Sequence, residues 1–545
     1  MPSFRKPSLA IVLLTAILFV PLVAQQIPLD ALMRGGRIHY EGQRYDRAKE
    51  QFTKALTEYG TTADNATLSQ IELWLGLCEE QLHHDTAAAD HFVAAMEHDT
   101  TAAAKISANE QWQYLAWTAL ISATRASYNL ESYDSALRYA LAALKVDPSK
   151  SQTYALVANI YSALKRYDDM RATAQDLLRL DAGAPEAMSL LGLYFLQKPD
   201  SLWPTAEARA GRWDSTRYYY DQAIAAYEKR FVAAKADLAK LLKLTDTVKL
   251  NHVTSQLLEK SRLPDQSELK RYIEDSLEAG KQLAEGAQIA SRLFYAANNL
   301  NVASSLAGTA MLRAATETKA DTSERFRAKA EALFARAVEY DSSDFTSLFN
   351  LGITQYQGRE DSLAEKSLRA VIDGAVVPVG SLPQPWLDSV LALVTQAAAE
   401  SGHVELTGRL AQTIDSVFVA KGRRNVGFSW LYFPDLRGRK LSGTATIADT
   451  AGMFLSLEMP QLIEQAYLWL GSSQTGRATT LSDAGKKDAA RAGYERAIVN
   501  LLIATKLDPS SSDAFQNLGI CYRETDQKDK ALKAFEAADK LRKGR

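Results

Sequence analysis

The chain has 545 residues, 47% of them hydrophobic and 23% charged, which leaves ample apolar surface for one or more cores and excludes a disordered polymer. Its formal net charge of −2 becomes more negative once the first residues, with Arg5 and Lys6 and no acid, are set aside, which excludes a broadly basic nucleic-acid binder. Two cysteines, Cys78 and Cys521, exclude a disulfide framework and every cysteine-based metal motif.

The amino terminus carries a short basic stretch, an apolar run from Leu9 to Val20, and Pro21-Leu22-Val23-Ala24 before Gln25. Residues 1–24 therefore read as a secretory signal peptide cleaved near Ala24, because the run is shorter than the roughly 20 residues a membrane span needs. An uncleaved anchor is the alternative, since Leu22 is an unusual residue three positions before the cut.

Residues 29–200 hold a succession of small and large residues at helical spacing. Gly36, Tyr40, Tyr45, Ala48, Phe52 and Ala55 form a first unit, and Gly76, Ala88, Phe92 and Ala95 a second. Ala136, Ala140, Ala143 and Asp147-Pro148 close a third; Tyr154, Val157, Ala158, Tyr161, Tyr167 and Met170 follow at once, and Met188, Leu191, Gly192 and Phe195 begin another. Gly and Ala remove bulk where antiparallel helices touch, and Asp-Pro stops the second helix because proline lacks an amide donor. From 201 to 325 the helical period continues through Tyr220, Ala223, Tyr227, Leu238 and Leu241 without those landmarks, which predicts long helices and a projecting hairpin turning near Leu263-Pro264-Asp265. Residues 326–372 return to the pattern with Leu348, Leu351, Gly352, Ala364 and Leu368, and residues 463–545 close with it, a polar run from Ser472 to Lys487 lengthening one internal turn.

Phe515-x-x-Leu518-Gly519-x-x-Tyr522 followed by Ala531-x-x-x-Phe535, with Ala497 lying 34 residues before Ala531, resembles the tetratricopeptide repeat. The resemblance implies an all-α fold: an α-solenoid of helix-turn-helix repeats, here with a long helical extension and a mixed insert. It also implies a concave face of first helices that holds a peptide or helix of a protein partner. One version of the family clamps a terminal carboxylate with lysines and asparagines. The corresponding positions here are Met33 and Arg37, then Leu73 and Leu77, so that specificity does not carry over.

Residues 373–462 differ in kind. They open with Val376-Val377-Pro378-Val379, continue with a predicted helix from Trp386 to Glu400 and another from Glu405 to Ala420, and end in a stretch predicted as a β-hairpin or ordered loop. That stretch interleaves Phe428, Trp430, Tyr432 and Phe433 with Lys421, Arg423, Arg424, Arg437, Arg439 and Lys440, against Asp435 alone. Rings supply apolar contact and arginines pair with phosphate or carboxylate, so Arg423, Arg424, Phe428, Trp430, Tyr432, Phe433, Arg437 and Arg439 are the candidate partner-binding residues. The equally weighted alternative is that the rings cover the end of a helix stack while the cations are merely solvated.

No phosphate-binding loop, nucleophile elbow or His-Glu-x-x-His helix occurs, and no catalytic residue, cofactor or metal is expected. His83, His84, His91 and His98 cluster in one unit. His83 and His84 fall in its turn, and His91 and His98 lie about 10 Å apart along a helix, too far for one ion. The leading expectation is a non-enzymatic scaffold of the periplasm or cell envelope that binds protein partners and no nucleic acid, with envelope or membrane-surface contact left open. Behind it stand a periplasmic ligand-binding or transport accessory protein and, last, an enzyme with its site in the insert.

Overall fold

The computed structural model describes residues 27–262, 267–276, 283–318, 320–396, 401–408, 410, 411, 414, 429–436 and 452–543. The chain forms two compact units, one running to Ala182 and the other from Gly183.

The first unit is helical throughout its described residues: α1 (Leu29–Glu41), α2 (Tyr45–Tyr59), α3 (Asn65–Gln81), α4 (Asp85–His98), the short α5 (Ala102–Ser107), α6 (Glu110–Asn129), α7 (Tyr133–Val146), α8 (Ser151–Ala163) and α9 (Tyr167–Leu180). Apart from α5 they pair as antiparallel hairpins. The second unit contains α10 (Pro185–Gln197), α11 (Ala206–Leu241), α12 (Thr247–Ser261), α13 (Ser267–Ser276), α14 (Leu283–Glu317), α15 (Ala320–Tyr340), α16 (Phe345–Gln357) and α17 (Asp361–Ala375). It closes with α19 (Pro460–Asp483), α20 (Lys487–Leu507), α21 (Ser512–Glu524) and α22 (Lys528–Lys543), while α18 (Gln384–Gln396) belongs to the insert.

One packing device recurs in both units. The first helix of a pair presents a glycine whose added Cβ would lie within 3 Å of a large side chain on the second helix: Gly36 on Phe52, Gly76 on Phe92, Gly352 on Leu368 and Gly519 on Phe535. Gly192 on Tyr220, Gly308 on Phe334 and Gly471 on Leu501 repeat it across pairs whose helices are longer. Without a side chain the two backbones approach closely enough for the ring or branched chain to lie flat between them.

The turns are equally uniform. Inside each hairpin the first helix ends in a three-residue reversal whose middle residue is left-handed: Gln43, His83, Glu131, Lys165, Arg359 and Asp526, with φ between 56° and 62°, and Gly485 at 73°. Two amides close each reversal, as where Gln43 N donates to Tyr40 O and Arg44 N to His39 O, satisfying carbonyls that a helix end leaves bare. Between hairpins an aspartate accepts from the backbone amide and hydroxyl two residues on: Asp99 with Thr101 (2.8 and 2.7 Å), Asp147 with Ser149 (3.0 and 2.6 Å), Asp341 with Ser343 (3.0 and 2.6 Å) and Asp508 with Ser510 (2.9 and 2.6 Å). Proline follows the aspartate in only two of these four, so the carboxylate is the common element and proline an addition.

Three sequence expectations change. The extension is not a bare two-helix hairpin: α12 and α13 lie between α11 and α14 in the chain and share their apolar cluster through Leu257, Leu258 and Ile273 against Leu238, Ile289 and Leu293. The turn expected near Leu263-Pro264-Asp265 lies outside the described residues. Ser472 to Asp483 extend α19 rather than a turn, because Gly493 admits Ala478 at close range and Thr479 meets the Tyr494 hydroxyl at 3.1 Å, so both helices of the pair continue for extra turns. The helix expected from Glu405 to Ala420 starts later: Glu405 and Leu406 belong to a strand, β2 (His403–Leu406), and beyond it the described residues Gly408, Leu410, Ala411 and Ile414 are helical.

That strand completes a four-stranded antiparallel sheet with β1 (Val376–Pro378), β3 (Ser429–Tyr432) and β4 (Phe454–Ser456), in the order β1-β4-β3-β2. Leu431 faces Leu455 across β3 and β4, and Val404 faces Leu431 across β2 and β3. The expected hairpin segment is thus a central strand paired with partners remote in sequence. Long-range pairing overrides local helical preference at Glu405 because β3 would otherwise leave a row of unpaired backbone groups.

The insert does not break the stack. Tyr40, four residues after Gly36, packs its ring on Trp74, two residues before Gly76, at 5.3 Å. Tyr356, four residues after Gly352, meets Trp469, two residues before Gly471, at 5.1 Å. Helices α16 and α19 therefore stand as successive first helices although the whole insert separates them. A polar seam fixes this junction: Glu365 on α17 accepts from Gln474 (3.1 Å) and Arg477 (2.8 Å) on α19 and from Arg369 (3.1 Å).

Candidate interaction surface

The first helices offer the candidate groove, and the packing glycine gives each one a common reference. Residues three before, one after and four after it share one side of a helix. In the second unit the half-buried members of this set are Ser189 and Leu193 on α10, Ser305, Thr309 and Leu312 on α14, Phe349, Ile353 and Tyr356 on α16, and Gln516 and Ile520 on α21, whereas Leu196 and, on α19, Leu468, Ser472 and Thr475 are buried and Arg523 is exposed. Six of these ten half-buried groups are apolar or aromatic, with all three on α16 among them, so that stretch of the surface suits apolar side chains of a partner. In the first unit Met33, Leu73 and Leu77 are buried, and Arg37 donates its Nε to its own helix at Met33 O (3.3 Å).

The insert divides its candidate residues. Arg423, Arg424, Phe428, Arg437 and Arg439 lie outside the described residues. Tyr432 and Phe433 are fully buried; Tyr432 stacks on Phe454 at 4.7 Å, and burial, with Glu464 and Glu458 nearby, pushes its hydroxyl far above the ordinary tyrosine value. These two rings contribute their area to the core of the second unit rather than to a surface. Trp430 is half-buried, 5.6 Å from the His403 ring. Asp435, the lone acid of this stretch, pairs with Lys506 on α20 and ties the segment to the helices.

Two of the four clustered histidines pair with acids of their own hairpin. His91 Nδ1 lies 2.6 Å from Glu72 Oε2, and His84 Nδ1 2.8 Å from Glu79 Oε2, whose other oxygen holds Lys49 Nζ at 2.8 Å. Among the described residues no group of three or more His, Cys, Asp or Glu is placed to hold a metal ion. Cys78 and Cys521 are buried free thiols, pushed up to about 12 and about 11 by burial; Cys521 Sγ lies 3.1 Å from Thr475 Oγ1.

Sequence reasoning missed the pairings of Gly192 with Tyr220 and Gly308 with Phe334. A signal was present, a helical glycine followed by a buried aromatic one helix later, but the fixed spacing that reveals the other pairs is absent. It also missed the polar seam, whose members have no local pattern.

Comparison with known proteins identifies the tetratricopeptide repeat family at residues 475–544 and again at residues 30–62. No curated protein sequence matches the chain. Solved structures that align with it include MamA (16% identity, 37% of this chain and 93% of that one, TM-score 0.24) and a tetratricopeptide repeat protein from Parabacteroides merdae (12%, 60% and 98%, 0.23). The Cut9–Hcn1 hetero-tetramer of the APC/C also aligns (13%, 98% and 90%, 0.22). Superpositions at such scores add no weight, and the assignment rests on the two family matches. Those matches cover the first hairpin and the last helices of the chain, and the same glycine-on-large-residue hairpin recurs between them; the chain carries tetratricopeptide repeats, which support a protein-interaction scaffold in general.

Proposed function

We propose that the protein is an exported scaffold of the periplasm or cell envelope that binds protein partners along its first helices, with the insert adding specificity. The carrying observation is the set of half-buried apolar side chains on the first helices of the second unit: Leu193, Ile353 and Ile520, each one residue after its packing glycine, and Phe349, three before. Such a face favours an apolar partner segment, because each buried side chain contributes about 1.5–3 kcal/mol on leaving water. The basic run, apolar core and Ala24 of the amino terminus support export. Among the described residues no helix is long and apolar enough to cross a membrane.

A photo-crosslinking residue at Ile353, compared with one at the exposed Lys366 on the second helix of the same hairpin, tests the groove in the native cell. Capture of a defined protein from Ile353 and not from Lys366 is the expected result. Equal capture from both, or none from Ile353, refutes it. Fractionation with sequencing of the mature amino terminus tests export; a chain that keeps residues 1–24 in the cytoplasm would refute that part alone.

A further inference from the structure

Two hairpins show what normally fills the joint between successive first helices: Tyr40 and Tyr356, each four residues after a packing glycine, lay a ring on the tryptophan of the next first helix. In the second hairpin the same position, four after Gly76, holds Glu80. This joint leads from α3 to α6, where Leu77 and Ile121 belong to one apolar cluster. Glu80 is half-buried, and its Oε2 is buried without a hydrogen-bond partner.

The charged groups nearby leave it unneutralised. On α3 itself Glu79 binds both Lys49 of α2 and His84, so neither cation is free for Glu80. Helix α4 contributes Asp85, a like charge, and its Asp90 takes up Arg138 of α7. Helix α6 carries Arg125, which is exposed, and Tyr128; α1 carries Tyr40. Apart from the exposed Arg125 and His83 at the turn, whose amide donates to Glu80 O, the groups named here are paired, neutral or negative, and a carboxylate in such a place favours its protonated form.

We propose that the joint between the second and third hairpins of the first unit is controlled by a proton on Glu80: protonated, the joint is tight, and ionised, it loosens. Burial first and Asp85 second push this carboxyl up from 4.5 to about 7. The sign follows. Between those two values the folded chain holds a proton that the unfolded chain has lost, so the joint loses stability as pH rises across that window and is level above it. Joint opening shifts α3 relative to α6, so the same proton adjusts the spacing of the first-helix face.

Hydrogen exchange of the full-length chain over residues 65–129, corrected for intrinsic rates, tests this at pH 5, 6, 7 and 8 in wild type and Glu80→Gln. The variant's advantage in protection should be smallest at pH 5, grow as pH rises toward 7, and reach about ten-fold at pH 8, the discount from a full shift reflecting the half-exposed carboxyl. A difference that does not vary with pH, or no difference, overturns the proposal. So does loss of the wild-type pH dependence in His84→Gln with Glu80 intact. Should Glu80→Gln fail to fold, Asp85→Asn keeps the switch and must move its midpoint to lower pH; an unmoved midpoint overturns the proposal as well.

Discussion

If Gly308 is required because Phe334 lies against it, filling that space should cost stability and removing the ring should return it. A Cβ at Gly308 would stand 2.8 Å from Phe334 Cε1, 2.9 Å from Cδ1 and 3.0 Å from Cζ, against an ordinary carbon separation of about 3.5–4.0 Å. The ring is fully buried and has no room to retreat in a close-packed interior. Gly308→Val adds three carbons there, and overpacking of this kind costs about 1–3 kcal/mol and sometimes more, while valine recovers about 0.5 kcal/mol of helix propensity over glycine. We expect a net loss of about 2 kcal/mol. Phe334→Ala alone should cost about 3–5 kcal/mol, and the double variant should be more stable than the sum of the two by about 1–3 kcal/mol, since valine then fills part of the cavity. Gly211→Val is the control: it is exposed on α11 and nothing lies within 4 Å of its added Cβ, so it should be neutral or slightly stabilising. Because repeat arrays open piecewise, the measurement is hydrogen exchange over residues 283–340 rather than a global midpoint alone. Additive losses in the double variant, or equal effects at Gly308 and Gly211, would refute the packing argument.

Asp341→Ala removes both bonds to Ser343 and should lower the stability of the α15–α16 junction by about 1 kcal/mol, read by local exchange; Asp508→Ala should match it although proline follows there, and a clearly smaller loss would return the role to proline. At the left-handed turn residues Glu131→Gly and Lys165→Gly should each raise stability by about 0.5–1 kcal/mol in denaturant unfolding, and Gly485→Ala should lower it by a similar amount, because a Cβ is disfavoured at their positive φ.

The helical hairpins were legible because their cause is local. Gly36, Gly76, Gly352 and Gly519 each precede their packing partner by sixteen residues, so sequence distance reports spatial contact directly. At Gly192, Gly308 and Gly471 the same contact spans longer helices, and the regular interval vanishes while the packing stays. The candidate site was legible only in part. The aromatic content of Ser429–Tyr432 marked it as extended, yet nothing in the residues foretold that Tyr432 and Phe433 face the core, since that depends on β4 arriving from the far end of the insert.

By itself, then, the order of residues determined where helices start and stop, which faces they bury and that successive pairs stack, because glycine spacing and aspartate turns act within a few tens of residues. The sheet, the rejoining of α16 with α19 across the insert, and the acidic character of one joint were decided by tertiary structure. Pairing of β1 with β4, stacking of Tyr356 on Trp469 and the desolvation of Glu80 all depend on groups brought together only when distant segments pack, and no local pattern encodes them.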